Sequence, residues 1–302
     1  MPSVRFRSHE SICVVLLAAA CFARPQEPVA AHPDPGELVR RVIRNEVKTN
    51  SQGTDHFMFR GIKTTPKGST TKIYVETKEV TAGLVVAYDG KALTPHQRRA
   101  EEARVERFLN SPEELQRKRN QEREDQERTL RIMRAIPDAF LFEYAGEERG
   151  SPGIGHVGDP LVKLKFRPNP RYQPPSRVEQ VLTGMQGFLL VDVPRYRLAS
   201  IDGTLFRDVN FGWGILGHLD RGGHFLVQQQ DIGDNHWDVS RMALDFTGKV
   251  MLFKNLTIKS TEVFNGFKKV PPNLTFAQAL ELLKKEETAV AQNPTTSRLA
   301  LK

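Results

Sequence analysis

The stretch from Met185 to Thr261 most constrains what this chain can fold into, because short apolar/polar alternations follow one another there with only turn residues between them. Phe225 and Val227 stand two apart, Met242, Leu244 and Phe246 alternate, and Val250, Leu252, Leu256 and Ile258 keep the same two-residue period. Successive side chains of a strand point to opposite faces, so this period buries one face and predicts a meander of antiparallel strands. The run Phe211 to Gly217 interrupts it. Its glycines deny it a helix, while Phe211, Trp213, Ile215 and Leu216 make it too apolar for an ordinary solvated loop. A curved sheet with such a loop points to a hydrophobic ligand.

More strands precede the meander. Alternation around Phe57 to Ile62, Ile73 to Val80 and Leu84 to Tyr88 predicts the first half of a sheet, closing on the hairpin pair Asp89 and Gly90. Phe140, Phe142 and Tyr144, then Val162, Leu164 and Phe166, predict two further half-buried strands. Helix starts are equally legible. Asp34, Pro35 and Glu37 supply a cap, a first-turn proline and an acidic third position ahead of Leu38, Val39, Val42 and Ile43. Thr94 with Gln97, Ser111 with Glu114, Ser176 with Glu179 and Thr275 with Gln278 mark four more, the second running towards Ile136 until Pro137 stops it. Between Gln116 and Arg128 no apolar side chain occurs, which predicts a helix polar on every face that projects into solvent.

Arg5 and Arg7, an apolar core from Ile12 to Ala20 and small residues ending at Ala23 form the layout of a cleaved export signal. Both cysteines, Cys13 and Cys21, lie inside it, so cleavage leaves no thiol for a disulfide, a nucleophile or a metal. A periplasmic location follows, with an outer-membrane lipoprotein anchored at Cys21 as the alternative, since Leu17 to Cys21 partly matches a lipobox. Residues 24–35 read as a disordered leader, 36–292 as one domain with charged helices inserted over 95–136, and 293–302 as a loose tail. The net charge of +8 falls to +7 without the signal, spread along the chain; this suits anionic lipid headgroups and peripheral membrane contact, and an exported protein has no nucleic-acid partner to meet.

An exported chain with an N-terminal amphipathic helix, a long run of antiparallel strands and helices inserted mid-sheet resembles the outer-membrane lipoprotein-sorting proteins of the LolA/LolB-like fold. The resemblance is carried by Asp89 to Lys91 after a strand, by the short helix before Met185 to Asp192, and by Arg197 to Leu205, and it spans roughly Gly36 to Ala291. It also takes in uncharacterised secreted bacterial proteins of that type. What it implies is an α+β fold, a curved antiparallel sheet forming an unclosed barrel around short helices, with a cavity that accepts acyl chains of a lipid or an acylated protein. The charged helices from Pro95 to Arg134 depart from the family pattern.

The expected cavity lining is Phe140, Phe142, Leu205, Phe225, Val227, Leu252 and Phe253, on the strands expected to be concave; Phe211, Trp213, Ile215 and Leu216 are the expected cavity lip or membrane-touching loop. The alternative is a non-enzymatic cell-envelope structural or interaction protein that docks a partner through residues 116–128. No enzyme is expected. There is no G-x-S-x-G elbow, the glycine-rich run Gly150 to Gly158 reads as a flexible loop and fits neither a phosphate-binding nor a dinucleotide fingerprint, and no cofactor is implied. His218, Asp220, His224, Asp231, Asp234 and His236 lack ligand spacing, so no metal site is expected either.

Overall fold

The computed structural model describes residues 33–212, 216–250 and 254–292. The export signal with Cys21, most of the leader, Trp213, Ile215, Leu252, Phe253 and the tail lie outside the described residues. Helix α1 (Pro35–Gln52) starts at Asp34, whose carboxylate accepts the Glu37 N–H at 3.0 Å. Strands β1 (His56–Thr65), β2 (Gly68–Val75) and β3 (Ala82–Tyr88) form consecutive hairpins. The expected strand to Val80 ends at Val75, because the Thr77 hydroxyl bonds the Val80 carbonyl and turns the chain. Asp89 and Gly90 take left-handed φ of 49° and 70°, the backbone a two-residue hairpin needs, and lead into the short β4 (Lys91–Ala92).

Helices α2 (Pro95–Asn110) and α3 (Pro112–Ala139) follow, α2 with a complete capping box between Thr94 and Gln97. Pro137 does not stop α3; it sits in the last turn, where only one intrahelical bond is lost, and the helix runs to Ala139. Next come β5 (Phe140–Arg149), β6 (Pro160–Pro168), the one-turn α4 (Arg177–Gln180), β7 (Met185–Asp192) and β8 (Arg197–Leu205). β9 (Val209–Phe211) and β10 (Gly217–Leu219) make a small side hairpin, and β11 (His224–Gly233), β12 (His236–Val250), β13 (Lys254–Val270) and α5 (Phe276–Gln292) complete the chain.

Among the described residues thirteen strands form one antiparallel sheet in the order β4-β3-β2-β1-β13-β12-β11-β8-β7-β6-β5, with β9 and β10 attached at the far end of β12. Its two end strands do not pair, so the barrel is unclosed. The fold is α+β with inserted charged helices, as the sequence led us to expect. Each face has its own core. Leu38, Val39, Val42 and Ile43 of α1 pack with Leu164, Phe166, Leu189, Ile201 and Leu205 on one face. Phe276, Leu280 and Leu283 of α5 pack with Ile73, Val75 and Leu84 on the other.

The glycine-rich run is not a free loop. The Gly155 N–H donates to the Gln229 carbonyl at 2.8 Å, Asp231 returns a bond to Gly155 at 3.2 Å, and His156 meets the Asp231 carboxylate at 3.1 Å. These bonds staple the run along β11, so it is held as an added bridge at the sheet.

Candidate functional site

The register places Phe140, Phe142, Leu205, Phe225 and Val227, the expected lining residues within the described part, on one face. Directly opposed residues of antiparallel strands share a face, and the row Phe142, Phe166, Gly187, Gly203, Phe225, Leu244 runs unbroken from β5 to β12. The neighbouring row Leu164, Leu189, Ile201, Val227, Met242 continues through Glu262 to Lys63. Phe140 and Leu205 lie on this face too, at 3% and 1% exposure, closed over by α1 and α3 as core. Phe142, Phe225 and Val227 are half-buried at the margin of that core. Phe211 is half-buried and Leu216 exposed at the β9–β10 end.

Further along the same face, on β1, β2 and β13, lies an aromatic surface that the sequence pattern did not disclose. Phe59 stacks on Tyr74 at 5.2 Å and on Phe267 at 5.3 Å, and meets Phe264 edge-on at 5.9 Å. Strict alternation would put Phe264 and Phe267 on opposite faces. A bulge reverses this. The β1–β13 register shifts between Met58 and Arg60, and Gly266 takes a φ of 68° that a residue with Cβ rarely adopts. The extra residue brings both rings onto Phe59; the signal in the sequence was Asn265 with Gly266. Gly61 lies between the rings, and a Cβ there would come within 2.8 Å of Tyr74 and 3.0 Å of Phe264. All four aromatics are half-buried, and they belong to neither buried cluster.

A titratable corner adjoins this surface. Glu76, opposite Phe57, accepts the Phe57 N–H at 2.9 Å, and burial pushes its carboxyl up to about 7, assisted by the charge of Asp238. Burial also raises Asp238, against the opposing pull of its own Val239 N–H and of Arg197. His236 stands edge-on to Phe57 at 5.4 Å and pairs with Asp55.

The inserted helices are tied to the sheet rather than projecting from it. Glu101 of α2 accepts the Val85 N–H at 2.7 Å and Arg104 donates to the Gly83 carbonyl at 2.8 Å, which satisfies backbone groups of an edge strand that β4 covers only at its end. On α3, Glu122 accepts the Thr81 N–H at 2.9 Å and Arg119 pairs with Glu79, whereas Gln126 reaches Asn50 of α1 at 3.3 Å. Lys118, Arg119 and Glu122 are therefore turned inward, and residues 123–128 remain exposed. The uniformly polar sequence arises because one helix face bonds backbone and charges where a core would demand apolar side chains. α3 thus straps the β2–β3 end of the sheet to α1. Between it and Tyr74 and Lys72 lies a pocket of about 130 Å³ with Phe108 and Phe276 at its base.

The histidines do not converge. His218 pairs with Asp220, His224 with Asp202 and His156 with Asp231, each separately, and no metal-holding cluster occurs among the described residues.

These features define an unclosed antiparallel barrel with an aromatic inner surface under a helical strap. No family model matches the chain, and no curated protein matches it. Solved structures that match include a candidate outer membrane lipoprotein-sorting protein domain from Vibrio parahaemolyticus, 12% identical, with 81% of this chain and 97% of that one covered at a TM-score of 0.29. Another is a DUF1329 family protein from Desulfovibrio piger, 11% identical, with 83% and 100% covered, also at 0.29. A structure of the kind the sequence resembles is thus among the matches, but a likeness this loose carries no argument for function. Function has to come from the geometry of the chain itself.

Proposed function

We propose that this is a carrier or binding protein of the cell envelope for lipid or lipidated protein, holding acyl chains against the inner aromatic surface. The observation that carries the reading is the half-exposed row Phe59, Tyr74, Phe264 and Phe267, apolar area inside an unclosed sheet that neither core consumes. Phe142, Phe225 and Val227 extend it towards β5, and Leu252 and Phe253 remain proposed lining. Each methylene moved out of water contributes about 0.8 kcal/mol, so a long chain is held without specific polar contacts. α3 is the movable strap, fastened at the β2–β3 end by a few polar bonds that can open. Phe211, Trp213, Ile215 and Leu216 form the lip or membrane-touching loop. The location is periplasmic after signal cleavage, with anchoring at Cys21 as the alternative.

The test is mass spectrometry of organic extracts from protein purified without detergent. Stoichiometric lipid is expected, and Phe59→Asp should abolish it while leaving the urea midpoint within a few tenths of a molar. The half-buried Phe59 suits this substitution, whereas a charge at Leu205 would unfold the core. Lipid-free wild type, or undiminished lipid in the variant, sinks the reading. The alternative, partner docking through residues 116–128, is supported by the exposed outer side of α3 from Arg123 to Arg128; Arg123→Glu with Glu127→Lys should then lose a captured envelope protein.

A further inference from the structure

Along one side of α1, residues 40, 43, 44, 47, 48 and 51 line a groove of about 520 Å³, walled opposite by Arg134, Pro137 and Asp138 of α3. Its base is apolar: Ile43 is buried, and Val47 and Pro137 are half-buried. Its rim is cationic. At one end Arg40 and Asp138 neutralise each other at 2.6 Å. Arg44, Lys48 and Arg134 are exposed, and among the described residues none of them has an ion-pair partner. Elsewhere on α3, Arg117, Lys118, Arg119, Arg128 and Arg131 each have a carboxylate within reach, and Arg123 donates to the Asn120 side chain. Arg44 and Lys48 are moreover four apart on one helix, a like-charge spacing that disfavours the helix. Three uncompensated cations over an apolar floor suit a ligand that is itself anionic and apolar.

We infer that this groove is a second binding site, taking the anionic phosphate headgroup of a lipid, with Arg44, Lys48 and Arg134 on the phosphate and Ile43, Val47 and Pro137 under the first carbons of the chain. The inference rests on the carrier reading and gives it a headgroup preference. The volume falls within the range of sites for single small ligands, about 300–1,000 Å³. Guanidinium groups bind phosphate through paired donors, and an ammonium adds a third point of charge. A purely ionic site would leave the apolar floor without a role.

The experiment titrates the full chain, purified without detergent, with dihexanoyl phosphatidylglycerol below its micelle concentration, followed by calorimetry. Dihexanoyl phosphatidylcholine, glycerol 3-phosphate and hexaglutamate are compared. The wild type should prefer phosphatidylglycerol to phosphatidylcholine by at least about tenfold, with affinity falling as salt rises. The Arg44→Gln, Lys48→Gln, Arg134→Gln variant should lose that preference with its melting temperature unchanged. Undiminished affinity in this variant overturns the proposal. So does glycerol 3-phosphate binding as tightly as the lipid, which makes the site one for a bare anion, or hexaglutamate binding more tightly, which makes it one for a protein segment. Phe59→Asp separates the two readings: it removes acyl-chain retention but leaves phosphatidylglycerol binding at the groove. Headgroup binding without co-purifying lipid in the wild type sinks the carrier reading and leaves the groove standing.

Discussion

Glu76→Gln should remove a pH-dependent loss of stability centred on the corner beside the aromatic surface. Burial raises the Glu76 carboxyl from 4.5 to about 7, Asp238 adds to the rise, and the Phe57 N–H opposes it. A carboxyl whose folded pKa lies above its unfolded value holds its proton more tightly in the native state. Its stabilising contribution is therefore fully present below about 4.5 and is lost as pH rises through about 7. The gap between those values, at about 1.4 kcal/mol for each tenfold change in proton affinity, amounts to ~3 kcal/mol, most of it lost between pH 5 and 8. Glutamine keeps an oxygen to accept the Phe57 N–H and cannot ionise. Urea unfolding at pH 5 and pH 8 should show the wild type losing about 2–3 kcal/mol more than the variant across that interval, with equal slopes against urea. Because Asp238 is raised in the same sense, the comparison between the two proteins is the diagnostic quantity. If Glu76→Gln loses as much between pH 5 and 8 as the wild type, the buried-carboxyl account is wrong.

Glu46 clamps α1 to β8, accepting Arg197 Nε at 2.9 Å and the Leu198 N–H at 2.8 Å in a site 4% exposed; Glu46→Ala strands a buried guanidinium and should cost about 3–5 kcal/mol in urea unfolding. The paired replacement Glu46→Leu with Arg197→Met should recover most of that, and a cycle without coupling would refute the clamp. Gly266→Ala meets no neighbouring atom, so its cost of about 1–2 kcal/mol is the left-handed backbone alone, and a change below a few tenths would argue against the bulge. Glu101→Ala uncovers the Val85 N–H on the edge strand, with an expected loss of about 1–3 kcal/mol and self-association visible by light scattering at high concentration. A variant that stays monomeric and equally stable would show that α2 does not guard the edge.

Much of the local structure was legible in the residues, although the Thr77 turn before Val80 and the passage of α3 through Pro137 were not. Alternation from Met185 onward determined which side chains share a face within each strand, and Thr94, Ser111, Ser176 and Thr275 determined where helices begin, because a cap is a bond between residues two or three apart. The Asp89 and Gly90 turn was equally local. Asp234 and Asn235, at φ of 51° and 59°, turn β11 into β12 by the same geometry and could have been found by the same rule. What only the tertiary structure decided lies between segments far apart in the chain. Periodicity does not say which strands are neighbours, so the pairing of β1 with β13, some two hundred residues on, was invisible, and with it the aromatic surface built across that seam. One bulged residue then inverted the alternation at Phe264 and Phe267. The charged helix misled for a related reason: a face that satisfies a sheet edge through Glu122 and Arg119 has the same polar composition as one facing water, and only the position of the edge separates them.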